Sequence, residues 1–334
     1  MPHMKLTLSA YAKVNLFLEI TGKRPDQYHN ICSVMTQVEL CDLIQIETAD
    51  SAEGSCEQIR LHCSDSSLPC DQTNLAWRAA DAFLRQTGIS MPVSIRIDKR
   101  IPLQAGLAGG SSDAAAVLHG MNHLTGNPLS TNELCSIGKT LGADVPFCVR
   151  GGTMLCEGIG DEMTRLPTPP DLPIVIAMKP GTGVSTKEAY AQLDSGSFVP
   201  VSPQGMLTAL ANQNPRMLCS ELFNRFSETC PGSEPLRNTI LSHGAAGALL
   251  SGSGAAVFGI FRTGKEAACC AADAIPKQKC WRSIACSQGE YPDSILLSAK
   301  KRTAAHAAVP VFLSCSGSHI TMFPCKIDQS CFSL

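Results

Sequence analysis

The stretch Pro102-Leu103-Gln104-Ala105-Gly106-Leu107-Ala108-Gly109-Gly110-Ser111-Ser112-Asp113-Ala114 decides how the chain is read. Ahead of it, Val93 to Ile97 is a short apolar run that reads as a strand. Behind it, Val117, Met121 and Leu124 recur at helical spacing. The order is therefore strand, Gly-rich loop, helix. Gly106, Gly109 and Gly110 are expected to turn with positive φ and to let a ligand approach the backbone closely. Ser111 and Ser112 are expected at the helix start, where N–H groups lack intrahelical partners and the macrodipole is positive. Such a site suits phosphate. A tight turn with a serine N-cap would use the same residues. Three glycines, two serines and a helix start in one place favour the phosphate.

The 334 residues suggest two domains on length. Composition is that of a globular protein, 44% hydrophobic and 17% charged, and net charge is −2. That balance argues against broad binding to nucleic acid or to anionic membranes. Any anionic ligand must be held locally, by a few basic side chains and backbone N–H groups. The 17 cysteines are scattered without C-x-x-C pairs or zinc-like spacing. They read as reduced small hydrophobes in a reducing, cytoplasmic setting. The first motif begins too early for a signal peptide to precede it. The apolar-looking run Ala304 to Cys315 is too short to span a bilayer and contains His306 and Pro310.

From the start, Leu6 to Leu8 and Val14 to Ile20 read as strands, then Thr21 to Asp26 as a polar turn. Ser33 to Leu40, Leu43 to Thr48 and Ile59 to Cys63 read as further strands. Asn74 to Gln86 is a helix stopped by Gly88. Ser130-Thr131-Asn132-Glu133 fits a capping box for a helix running to about Leu141. Gly142-Ala143-Asp144-Val145-Pro146 breaks it, and Arg150 to Cys156 returns to strand. Four prolines between Leu166 and Pro173 mark a domain boundary. Beyond it, Ile174 to Met178 is a strand, and helices begin near Ser185, at Gln204 and around Leu236. Ala248 to Leu250 and Ala256 to Phe261 flank a second Gly-Ser loop, Ser251-Gly252-Ser253-Gly254. Lys265 to Ile275 reads as a helix and Trp281 to Cys286 as a closing strand. The division is 1–165, 166–298 and a loosely ordered tail, 299–334.

Three pieces converge on one chemistry. Lys13 stands in Ala12-Lys13-Val14-Asn15 at the mouth of a strand, and Asp144 sits on a stiff apolar corner. With the phosphate loop they supply a cation, a base and a cradle, which phosphoryl transfer to a hydroxyl needs. Taken singly, Lys13 reads as a solvated strand-end lysine and Asp144 as a helix-terminating acid. The loop is not a Walker A, because no G-K-[ST] follows. Its glycine spacing is not that of a Rossmann fingerprint.

The motifs A-K-V-N-L-F-L-E-I-T-G-K-R-P-D-Q-Y-H (Ala12 to His29), P-L-Q-A-G-L-A-G-G-S-S-D-A (Pro102 to Ala114), L-G-A-D-V-P-F (Leu141 to Phe147) and S-G-S-G-A-A-V-F (Ser251 to Phe258) occur together. In them the chain resembles the GHMP kinases, and within these the 4-diphosphocytidyl-2-C-methyl-D-erythritol kinases of non-mevalonate isoprenoid synthesis. The resemblance spans Leu6 to about Ser298. It implies an α+β, two-domain GHMP kinase fold, with an N-terminal ribosomal-protein-S5-like domain and a C-terminal α/β sandwich. It implies ATP as donor, with Mg²⁺ bridging its phosphates, aided by Ser112. It makes Asp144 the general base and Lys13 its partner near the transferring phosphoryl group. Pro102 to Ser112 would wrap the ATP phosphates. Asn15, Tyr28, His29, Thr186 and Tyr190 would hold the cytidyl substrate, with Tyr190 stacked on the cytosine. The loop from Ser251 to Gly254 would close the site. The partner would be this small molecule, not nucleic acid or membrane, and the protein a monomer or weak homodimer.

The chain departs from the family's pattern at Tyr11, usually Pro, and at Gln27, usually Gly. It also departs at Gln104, Ala105 and Ala108, which are expected to take negative φ. Two other readings stay open: a homoserine or mevalonate kinase type, and a nucleotide-binding regulator that has lost catalysis. The retained Lys13 and Asp144 argue against the second.

Overall fold

This computed structural model describes residues 4–48, 58–179, 181–183, 185–194, 199–274 and 279–284. The tail expectation and the run from Ala304 to Cys315 lie outside them. In chain order the elements are β1 Lys5–Lys23, β2 His29–Thr48, β3 Ile59–Cys63, α1 Leu75–Thr87, β4 Val93–Asp98, α2 Gly109–Leu124, α3 Thr131–Leu141, α4 Val145–Arg150, β5 Thr153–Glu157, β6 Glu162–Arg165 and β7 Pro173–Met178. They continue with α5 Thr186–Leu193, α6 Gln204–Ala211, α7 Pro215–Ser220, β8 Phe223–Asn224, α8 Glu234–Ser242, β9 Gly247–Leu250, β10 Val257–Ile260, α9 Gly264–Cys269 and β11 Lys279–Ile284.

The opening residues form one long antiparallel hairpin instead of four short strands. Register shifts at Tyr11/Lys13, Asn15/Phe17 and Ile20/Gly22 absorb the irregular pattern, so the strands bend without ending. The polar turn comes later than expected, at residues 24–28. There Gln27 is left-handed (φ 69°), and Asp26 Oδ1 accepts from the Tyr28 N–H.

The larger sheet runs β3-β4-β2-β1-β8, with β5 on β2 and β6 on β5. Strand β8, from the second half of the chain, pairs parallel to β1 at Phe17 and Leu18. The smaller sheet is β11-β7-β10-β9. Leu6, Leu8 and Ala10 join the core under α1 and α2, with Phe83, Val117 and Met121. Past the first register shift, Ala12, Val14 and Leu16 enter a second core. There they meet Ile176 and Phe258 of the smaller sheet and Leu210 of α6. The bend in β1 thus joins the halves and brings Lys13 and Asn15 to the cleft between them.

Local signals explain most helix ends. Asn74 caps α1, and left-handed Gly88 closes it. Ser130 and Glu133 form a complete capping box on α3. Residues 145–150 are helix α4, where a break at Gly142 to Pro146 and a strand from Arg150 were expected; Pro146 falls in its first turn, where proline is tolerated. The strand there begins at Thr153, after Gly151 and Gly152 turn the chain. The short elements β6, α7 and β8 gave no usable periodicity. No helix among the described residues is long and apolar enough to cross a membrane.

Candidate active site

The middle of β1, the Gly-rich loop, the corner before α4 and two pieces of the second half enclose a cavity of about 330 Å³. Its walls include Lys13, Asn15, the residues from Pro102 to Ser111, Asp144, Thr186, Tyr190 and Ser253.

The loop departs from expectation in its backbone. Gly106 has positive φ (73°), but so do Gln104 (51°) and Ala108 (57°), expected to be negative. Gly109 and Gly110 are ordinary helical residues, because α2 begins at Gly109. Tertiary hydrogen bonds, not residue type, set the loop. Leu107 O accepts from the Lys13 N–H (3.1 Å), Ala105 O from the Ala256 N–H (3.1 Å) and Gly106 O from Ser251 Oγ (3.0 Å). Each left-handed non-Gly residue costs about 1–2 kcal/mol, which these contacts offset. The free N–H groups at the helix start belong to Gly109, Gly110 and Ser111. Ser112 is one residue too far: its N–H donates to Ala108 O at 2.8 Å. Its hydroxyl donates to Tyr11 O at 2.6 Å and the residue is buried, so the expected metal contact does not fit its position.

Lys13 is buried, and its ammonium lies 3.9 Å from Asp144 Oδ2. Lys13 Nζ donates to Asn15 Oδ1 at 2.7 Å. The same oxygen accepts the Gly252 N–H at 2.9 Å, and Asn15 Nδ2 donates to Ser33 Oγ. With both ends of its amide committed, Asn15 orients Lys13 and ties in the second Gly-Ser loop. It also lines the cavity. Asp144 occupies the N-cap position of α4 yet makes no capping hydrogen bond, so its carboxylate faces the cavity with Lys13 as its ion-pair partner.

The cytidyl group expected from sequence is only partly gathered. Tyr190 and Thr186 line the cavity, and Thr186 Oγ1 is 3.1 Å from Ser253 Oγ. His29 stacks on Tyr190 (4.5 Å, 20°), and Phe226 meets the same ring edge-on at 4.9 Å. His29 Nε2 lies 2.6 Å from Asp194 Oδ1, and Lys23 Nζ donates to Oδ2 at 2.6 Å. Hydrogen bonds from Lys23 and His29 hold the Asp194 carboxyl below its usual range. Tyr28 is 60% exposed and does not line the cavity.

Two buried thiols lie near the site. Burial first, and the Asp144 charge second, push Cys148 well up and Cys156 to about 12. Both stay protonated and are not nucleophiles. Among the described residues Cys32, Cys41, Cys148, Cys156, Cys230 and Cys270 are buried cysteines outside any disulfide, as composition suggested.

Sequence reading missed a buried charged cluster under the loop. Lys99 Nζ donates to Asp113 Oδ2 at 2.7 Å and also to Asp42. Burial lowers the Lys99 pKa, but the two carboxylates outweigh it and the net shift is upward. Burial pushes Asp113 well above the carboxylate range despite Lys99. The available signal was Asp42, an acid inside the apolar run from Val38 to Ile44.

A cleft with a helix-start anion cradle and a buried lysine paired with an uncapped carboxylate holds the groups that phosphoryl transfer to a small molecule needs. Comparison with known proteins gives the class. The GHMP kinases N terminal domain model matches residues 74–152, and the GHMP kinases C terminal model matches residues 205–274. The 4-diphosphocytidyl-2-C-methyl-D-erythritol kinase of Caldicellulosiruptor saccharolyticus is 43% identical over 262 residues, covering 77% of this chain and 88% of the relative. That of Bacillus licheniformis is 41% identical over 261 residues, covering 77% and 88%. A crystal structure of 4-(cytidine 5'-diphospho)-2C-methyl-D-erythritol kinase superposes with TM-score 0.70 at 31% identity, covering 84% of this chain and 100% of that one. A homoserine kinase from Cytophaga hutchinsonii, 19% identical with TM-score 0.67 over 86% and 96% of the chains, shares the fold. The chain belongs to the GHMP kinases, within the 4-diphosphocytidyl-2-C-methyl-D-erythritol kinase family.

Proposed function

We propose that this enzyme transfers the γ-phosphoryl group of ATP to the 2-hydroxyl of 4-diphosphocytidyl-2-C-methyl-D-erythritol. The products are the 2-phosphate and ADP, a step of non-mevalonate isoprenoid precursor synthesis. One observation carries the reading. The Lys13–Asp144 pair, 3.9 Å apart, lines the same cavity as the open N-terminal turn of α2.

In this reading the N–H groups of Gly109, Gly110 and Ser111 hold phosphate oxygens at the positive end of the helix. Asp144 accepts the proton of the acceptor hydroxyl as its oxygen attacks the γ-phosphorus in line, and the bridging oxygen leaves with ADP. Lys13, steadied by Asn15, sets positive charge beside the transferring group. Tyr190 offers a face for the cytosine, displacing or joining His29 in the stack. Mg²⁺ would neutralise charge on the β- and γ-phosphates. Among the described residues no cluster of three His, Cys, Asp or Glu stands ready to hold it. Among the described residues that line the cavity Asp144 is the acid that would face it. The reading includes a cytoplasmic enzyme, monomer or weak homodimer.

The test is ATP consumption by the purified chain with 4-diphosphocytidyl-methylerythritol, homoserine and mevalonate offered separately. Turnover with the first acceptor alone is expected. Faster turnover with either of the others would replace this reading with the corresponding kinase.

A further inference from the structure

The buried cluster under the phosphate loop ties together both ends of that loop. Lys99, Asp42 and Asp113 are at most 4% exposed. Asp42, on β2, also accepts the Arg100 and Ile101 N–H groups through Oδ1, which fixes the residues just before Pro102. Asp113, on α2, fixes the residues just after Ser112. The Lys99 ammonium reaches across, and a Cβ built on Gly109 would lie 3.0 Å from it, so it sits directly under the first turn of the helix.

Between these two posts the backbone is strained. Gln104 and Ala108 are left-handed without being glycine. Such conformations persist only where the surroundings over-determine them. A lone ion pair would have settled the Lys99 charge. Here a second acid is added, and its Oδ1 is buried without a hydrogen-bond partner. That is a costly arrangement for packing alone. The oxygen that is used, Oδ2, is the one that holds Lys99.

We propose that Asp113, acting through Lys99, is a positioning residue for nucleotide binding. It holds the strained loop at the spacing at which the N–H groups of Gly109 to Ser111 meet the phosphates. The inference rests on the ATP-kinase reading above. An asparagine has the same shape and can still accept from Lys99, so it fills the role; an alanine does not.

Steady-state kinetics on Asp113→Ala and Asp113→Asn test this. Asp113→Ala is expected to raise KM for ATP at least about tenfold, with KM for the acceptor and kcat at saturating ATP within about twofold of the parent. Asp113→Asn is expected to keep KM for ATP within about threefold of the parent. If Asp113→Ala does not fold, Asp113→Ser, too short to reach Lys99, is expected to show the same ATP-specific rise. Unchanged KM for ATP in the truncated variant overturns the inference. So does a loss shared equally by both substrates, or an Asn variant as impaired as the truncated one. A parent chain that consumes no ATP is a failure of the kinase reading, and the two failures are thereby told apart.

Discussion

Gly106 and Ser251 meet backbone to backbone: a Cβ built on Gly106 would lie 2.0 Å from the Ser251 carbonyl oxygen. The two Gly-Ser loops, 145 residues apart in sequence, are therefore one unit, closed by the hydrogen bond from Ser251 Oγ to Gly106 O. Neither group is the flexible end of a side chain, so neither can swing aside. Gly106→Ala adds left-handed strain (φ 73°) to that clash. It is expected to cost roughly 2–3 kcal/mol of stability and to part the loops. Denaturant unfolding reads the first effect, and a rise in KM for ATP of about tenfold reads the second. A variant with parent stability and kinetics would mean the loops separate freely.

Asp144→Asn keeps the shape of the side chain and removes its ability to take a proton. Because Asp144 makes no capping hydrogen bond, α4 loses little by the change. Turnover is expected to fall at least about a hundredfold, the lower range for a general base, while ATP binding stays near the parent value. Single-turnover kinetics and equilibrium nucleotide binding separate the two. Near-normal turnover would remove Asp144 from the chemistry.

Much of this site was legible in the sequence, and the reasons differ by residue. Lys13 and Asp144 each read alone as structural residues, and only their convergence with the Gly-rich loop and helix start singled them out. The loop's dihedrals did not. Gln104 and Ala108 are left-handed because Ala105, Gly106 and Leu107 are held by partners far along the chain, which no local rule sees. The role of Asn15 was hidden for the same reason: its oxygen serves Lys13 nearby and Gly252 from the other half. The long hairpin was read as separate strands because bulges look like breaks in a period-two pattern. The paired strands around Ser251 to Gly254, the stop at Gly88 and the cap at Ser130 were read correctly because turn chemistry there is local.

Tyr190 has two ring partners, the His29 ring stacked on it and the Phe226 ring at its edge. Burial pushes its phenol up, so it is neutral across working pH, and its use is its face. Tyr190→Ala is expected to raise KM for the cytidyl substrate about tenfold or more, the range of a lost aromatic stacking contact, with KM for ATP nearly unchanged. Tyr190→Phe is expected to behave like the parent. An unchanged acceptor KM in Tyr190→Ala, with lowered stability, would make the ring a packing residue only.

His119 gives the fold a pH dependence of known sign. It lies on α2 with Nε2 2.9 Å from the Val149 carbonyl oxygen at the end of α4, and burial lowers its pKa from 6.5 to about 4. The folded state therefore keeps His119 neutral where the unfolded chain would protonate it. The stability this contributes is complete above pH 6.5 and is lost as pH falls through 4. The unfolded state binds the extra proton in that interval, so stability rises with pH there. The shift corresponds to roughly 3 kcal/mol at most. Denaturant unfolding at a series of pH values is expected to show this slope in the parent. His119→Gln keeps a donor for Val149 but cannot titrate. It is expected to flatten the slope by about one proton between pH 6.5 and 4. An identical slope in the variant would assign the acid sensitivity to the carboxylates instead.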